Sequence, residues 1–132
     1  MPILSGERNP NMSKFVIQEV PSGIKFDLKA ANGQTIATSE VYAAKSVCLK
    51  GVESVRKNAP IAKLEDQTEE NFRSVTNPKF ELYKDKADQF RFRLKARNGE
   101  IIATSEDYSS KAACENGIES VRKNAPEAEV AE

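Results

Sequence analysis

Apolar and polar residues alternate through Lys79-Phe80-Glu81-Leu82-Tyr83-Lys84 and again through Gln89-Phe90-Arg91-Phe92-Arg93-Leu94-Lys95-Ala96. That is the period of a strand with one face buried, and it points Phe80, Leu82, Phe90, Phe92 and Leu94 inward. Asp85-Lys86-Ala87-Asp88 joins the two strands as a hairpin. Asn98-Gly99 follows, which tolerates the positive φ angles of a type I′ turn and is the strongest short hairpin signal. A third strand, Ile101-Ile102-Ala103-Thr104-Ser105, completes a three-stranded antiparallel meander. The same pattern stands about 65 residues earlier, from Lys14-Phe15 through Asn32-Gly33 to Thr35-Ile36-Ala37-Thr38-Ser39, with the shorter turn Pro21-Ser22-Gly23 in its first loop.

The period then changes to that of a helix. Ala113, Cys114, Gly117, Ile118 and Val121 share one face, and Val47, Cys48, Gly51, Val52 and Val55 repeat the stripe. Ser109 or Ser110 is placed to cap the second helix, whereas Ala43-Ala44 leaves the first uncapped, a difference of about 1 kcal/mol. Both helices end on an identical Glu-Ser-Val-Arg-Lys-Asn-Ala-Pro, residues 53–60 and 119–126. It carries cations toward the negative helix end, an Asn suited to a left-handed cap, and a stopping Pro. Within it, Glu53 with Lys57 and Glu119 with Lys123 have i, i+4 spacing. Glycine inside a helix costs about 1 kcal/mol relative to alanine, so the recurrence of Gly51 and Gly117 implies a close approach of the helix backbone to the sheet or to the other helix, with a ligand approaching the helix as the alternative.

After each helix, apolar residues alternate once more, Ala62 and Leu64 in one copy and Ala128 and Val130 in the other, as in a fourth short strand. The chain therefore divides into residues 1–13, a loosely held segment with no counterpart in the repeat, and one domain over 14–132. That domain comprises repeat one (14–66), a polar linker (67–78) whose Phe72 and Val75 are suited to crossing a surface groove, and repeat two (79–132). A repeat of this length buries too little surface by itself, so the copies are expected to share one core.

Composition narrows the function. Twenty basic and twenty acidic residues cancel, which removes a global electrostatic drive toward nucleic acid or anionic membrane. No apolar run approaches a membrane span, and the first residues lack a signal-peptide pattern, so a cytoplasmic protein without membrane contact is expected. Cys48 and Cys114 fall at equivalent helix positions and read as small buried hydrophobes, with a disulfide or redox pair as the alternative. Without any histidine, two cysteines complete a tetrahedral zinc site only if carboxylates or a second chain supply the other ligands.

The run Lys-Phe-Glu-Leu-Tyr-Lys-Asp, Phe-Arg-Phe-Arg-Leu-Lys-Ala, Asn-Gly, Ile-Ala-Thr-Ser-Glu, Tyr-Ser-Ser-Lys-Ala, Asn-Gly-Ile-Glu-Ser-Val-Arg-Lys-Asn-Ala closely resembles the bacterial YegP-like family over Lys14–Pro60 and Lys79–Pro126. The resemblance implies an α+β fold: a β-β-β-α-β unit present twice, one combined sheet, and exchange of the strand after each helix. It implies no catalytic residues and no established activity. Repeat one departs from the pattern on its outward face, with Gln18 and Glu19 where repeat two has Tyr83 and Lys84, Asp27 for Arg93, and Val41 for Asp107. The expected architecture is one antiparallel sheet with both helices on one face, folded as a monomer with an internal pseudo-twofold.

Catalysis near neutral pH has little to work with. There is no histidine, phosphate-cradling loop, nucleophile elbow or metal-ligand cluster, and no cofactor is expected. Glu40 and Glu106, each two residues before a tyrosine, are the recurrent carboxylates outside the helix and read as strand-end anchors. Arg91, Arg93 and Lys95 share one outward strand face near Tyr83, a combination that could grip a phosphate backbone and stack a base. A solvated strand face is the plainer reading, since Asp27 interrupts the matching Lys25–Lys29 row. The functional expectation is a small non-catalytic interaction or binding module with an unknown macromolecular partner. A nucleic-acid binder using Tyr83, Arg91, Arg93 and Lys95 is the alternative, and an enzyme a distant third.

Overall fold

A computed structural model describes residues 13–132. Repeat one forms strands β1 (Lys14–Val20), β2 (Gly23–Lys29) and β3 (Thr35–Thr38), helix α1 (Lys45–Asn58) and strand β4 (Lys63–Asp66). Repeat two forms β5 (Lys79–Lys84), β6 (Phe90–Lys95), β7 (Ile101–Thr104), α2 (Lys111–Asn124) and β8 (Glu129–Ala131). All eight strands make one sheet in the order β4-β5-β6-β7-β3-β2-β1-β8. The order reads the same from both ends, so a pseudo-twofold passes between β3 and β7.

The strand after each helix leaves its own repeat: β4 lies against β5, and β8 against β1. Both pairings are parallel, so the sheet is mixed and not wholly antiparallel. Hairpins force antiparallel neighbours, but a strand that arrives by way of a helix is free to add in parallel. Each exchanged strand is gripped at both ends by the helix of its host repeat. Arg122 of α2 donates to the Ala62 carbonyl at 2.8 Å, before β4 begins, and Lys111 meets Asp66 at 2.5 Å where β4 ends. Arg56 donates to the Ala128 carbonyl at 2.5 Å, and Lys45 pairs with Glu132 beyond β8.

Both helices cover one face. Phe15, Phe26, Leu28, Phe80, Phe92 and Leu94 are fully buried beneath them in one continuous core, with Phe90 packed at its margin. Each such side chain contributes roughly 2–3 kcal/mol. The helix glycines are explained by contact: a Cβ at Gly117 would stand 2.5 Å from the Tyr108 hydroxyl and 3.0 Å from the Phe92 ring, and one at Gly51 would meet Tyr42 and Phe26 in the same way. Tyr42 stacks on Phe26, and Tyr108 on Phe92.

Several local expectations are corrected. The Asn-Gly turns are three-residue loops: Ala30 N–H donates to Gln34 O, Gly33 N–H to Ala30 O, and only the glycine has positive φ. The Asn32 and Asn98 carboxamides instead accept the N–H of Gln34 and Glu100, so these are not type I′ turns. Val47 faces solvent, because the α1 stripe turns it away from the sheet. Asn58 and Asn124 are helical and buried, each donating to the carbonyl one turn back, and so are not left-handed caps. Glu53 and Glu119 pair with Arg56 and Arg122 at i, i+3 in place of the lysines. Ser110 caps α2 by accepting from Ala113 N–H at 3.1 Å, and Ala44 leaves α1 without a side-chain cap. Residues 1–12 of the segment expected to be loosely held lie outside the described residues, and Ser13 is buried.

Candidate functional site: the open sheet face and its central seam

With both helices on one side, the linker meets the other face of the sheet along β4, where Val75 and Thr76 bond the side chains of Glu65 and Lys63. The linker's anchor is Glu65, which accepts from Val75 N–H at 2.9 Å, Lys79 Nζ at 2.8 Å and Gln67 Nε2 at 2.6 Å. Burial opposes ionisation of this carboxyl, but those donors outweigh it and hold it down at about 2. Phe72 of the linker remains exposed and Val75 half-buried.

The residues read as a partner face are brought together beside that anchor, and each already has an internal partner. Arg93 donates to Glu81 at 2.5 Å and lies over the Tyr83 ring, 4.6 Å from its centroid. Lys95 stands 3.4 Å from the same carboxylate. Arg91 donates to Asp85 at 2.7 Å. Burial works against the charge on Glu81, yet Arg93 and Lys79 hold its carboxyl below the usual range. In repeat one, Asp27 takes the place of Arg93 and gathers Lys25, Gln18 and Thr38 within 2.9 Å. Alternation and recurrence do not single out Glu65 and Glu81, although their counterparts in the other repeat, Ala131 for Glu65 and Val16 for Glu81, are apolar and mark a change to acidic on the outward strand face.

Glu40 and Glu106 stand at the seam between the halves. There β3 and β7 meet at one residue pair only, Thr38 opposite Thr104. The Thr-Ser-Glu motif explains why the strands part. Ser105 Oγ accepts from Phe92 N–H at 2.9 Å and donates to the Glu106 carbonyl at 2.7 Å, tying the chain beyond β7 to β6. Ser39 does the same with Phe26 and the Glu40 carbonyl, tying the chain beyond β3 to β2. On one side of the crossing the parting leaves two adjoining depressions of about 210 and 420 Å³, which share Thr35 and Glu106. Arg91 lines the first, and Asp107 and Tyr108 line the second.

No group of three or more His, Cys, Asp or Glu side chains able to hold a metal ion occurs among the described residues. Cys48 and Cys114 are buried and unbonded, and burial pushes the Cys114 thiol up to about 12. Neither offers a ready thiolate. No helix among the described residues is long and apolar enough to cross a membrane.

Residues 23–66 and 85–132 match the family model described as a domain of unknown function, DUF1508. The chain belongs to the DUF1508 family. Its two matched segments fall one in each repeat. A UPF0339 protein encoded 5′ of the ptx operon in Stutzerimonas stutzeri is 44% identical over 108 residues, covering 82% of this chain and 84% of that one. The UPF0339 protein YegP of Yersinia pestis is 41% identical over 114 residues, covering 86% and 88%. Among solved structures, the solution structure of yegP from E. coli, a protein of unknown function, superposes with a TM-score of 0.72 at 34% identity, covering 91% of each chain. The YegP-like resemblance and the α+β fold with one mixed sheet thus stand on shared sequence and shared structure.

Proposed function

We propose that this DUF1508 protein is a non-catalytic binding module whose partner docks on the sheet face opposite the helices. The observation that carries the reading is the one-sided helix cover: an eight-stranded sheet exposes an extended polar face that the fold does not use for its core. A reaction centre would need a titratable pair converging in an enclosed site, and the seam depressions are open grooves edged by exposed carboxylates. Glu81, Asp85 and Tyr83 already engage Arg93, Lys95 and Arg91, so the reading favours a protein partner over a polynucleotide. The exchanged strands find their places within one chain, which fits a monomer, and two unpaired buried thiols fit a cytoplasmic setting.

Site-specific photocrosslinking in the native cell tests this. A benzophenone side chain at Thr38, on the open face, is expected to trap a defined adduct, and one at Lys57, exposed on α1, is not. Equal adducts from both positions, or none from Thr38, would sink the reading.

A further inference from the structure

We propose that the gap on the Glu106 side of the seam seats an extended peptide segment of a partner protein, with a lysine or arginine side chain placed at Glu106 and Asp107. The inference rests on the binding-module reading and names the partner's chemistry.

Backbone pairing comes first. Beyond Thr38 and Thr104 the register would set Thr35 opposite Asp107, but the chain there stays with β6 through Ser105 N–H to Phe92 O and through the Phe90–Tyr108 bridge. The seam side of β3 from Thr35 to Ala37 therefore has no ladder partner, although its other side pairs with β2. An unladdered strand edge is a template for an added strand, whose main chain supplies affinity and whose alternate side chains supply specificity. The depressions of about 210 and 420 Å³ lie against this edge.

Charge then selects the occupant. Glu106 and Asp107 are exposed, and neither has an ion pair among the described residues. Among the described residues the one cation lining the gap is Arg91, which pairs with Asp85 at 2.7 Å and is shared more weakly with Asp107, one cation against three carboxylates counting Glu106. The gap therefore holds surplus negative charge beside the hydroxyls of Thr35, Thr38 and Thr104, which suits a cationic side chain. At the equivalent positions across the pseudo-twofold, Val41 stands for Asp107 and Ile101 for Thr35, both more than a third exposed. The two gaps are thus chemically distinct, and the polar one fits the basic segment.

Amide NMR titration of the full chain tests the proposal, with acetyl-Thr-Lys-Thr-Lys-Thr-amide as the probe, its glutamine analogue as the neutral control and spermidine as a free polyamine. The lysine peptide is expected to shift Thr35, Ile36, Glu106 and Asp107. Glu106→Gln with Asp107→Asn should weaken binding about tenfold, the scale of a lost charge-assisted hydrogen bond. Both side chains are exposed, so the variant keeps its fold, which its own amide spectrum verifies. Absence of shifts at millimolar peptide, equal shifts from the glutamine analogue, or shifts from spermidine alone would each overturn it. Adducts from Thr38 without peptide binding would overturn this inference and leave the open-face reading standing, whereas loss of both results would end both.

Discussion

Gly117 carries two opposed residue-scale effects. Alanine there would gain about 1 kcal/mol of helix propensity, but its Cβ would enter the space held by the Tyr108 hydroxyl and the Phe92 ring. Overpacking of that kind costs about 1–3 kcal/mol. Gly117→Ala should therefore lower the unfolding free energy by about 1 kcal/mol net, and adding Tyr108→Phe should recover part of the loss by removing the nearer atom. Denaturant unfolding of the single and double variants measures this; a stabilised Gly117→Ala would show that the contact yields easily. The glycine's packing use was legible in the sequence because an unfavourable residue recurred, but its contact was not. Tyr108 lies nine residues away and reaches the helix only through the bulged segment after β7.

At the scale of elements, the identical octapeptide that closes each helix looks in sequence like a stop signal. In the structure it is also half of a clasp. Its arginine is held by the glutamate one turn earlier, lies over Phe15 or Phe80, and grips the carbonyl ahead of the exchanged strand. Deleting Glu127 to Glu132 would remove β8, its ladder with β1 and the acceptor of Arg56. The expected loss is about 3 kcal/mol or more, from buried Ala128, half-buried Val130 and the orphaned guanidinium. Thermal unfolding reads it directly, and an unchanged melting temperature would contradict the pairing of β8 with β1. The fourth strand itself was legible from alternation in four residues. Its parallel direction was not, because alternation reports which face a side chain takes and never which neighbour or sense the strand adopts.

For the whole molecule, the exchange means that neither repeat owns a complete sheet. β4 belongs to the half containing β5, β8 to the half containing β1, and the buried apolar side chains of the described residues form one cluster. The halves should consequently unfold together. Phe15→Ala and Phe80→Ala, each costing about 3–5 kcal/mol, should shift the same single transition, with calorimetric and van't Hoff enthalpies in agreement. Two separable transitions, each responding to one substitution, would show the halves to be independent despite the exchange. The candidate site also belongs to this scale. Glu40 and Glu106 were singled out because they recur, yet their position at a parted seam depends on strands from two repeats meeting at one residue pair.

The chain alone determined the repeat, the strand and helix periods, the inward phenylalanines, the helix glycines and the uncapped start of α1. The repeat shows as one pattern written twice, and the others are set by residues within a few positions of one another, where backbone preference and side-chain period act directly. Only the tertiary structure decided which strand pairs with which, which outward charges neutralise one another, and where the sheet comes apart. Those outcomes depend on contacts between separate elements, from Glu81 with Arg93 within one hairpin to β1 with β8 at opposite ends of the domain, which the two repeats' shared pattern leaves open. Glu81 can hold Arg93, and Ser105 can draw the chain away from β3, only after the fold has placed them side by side.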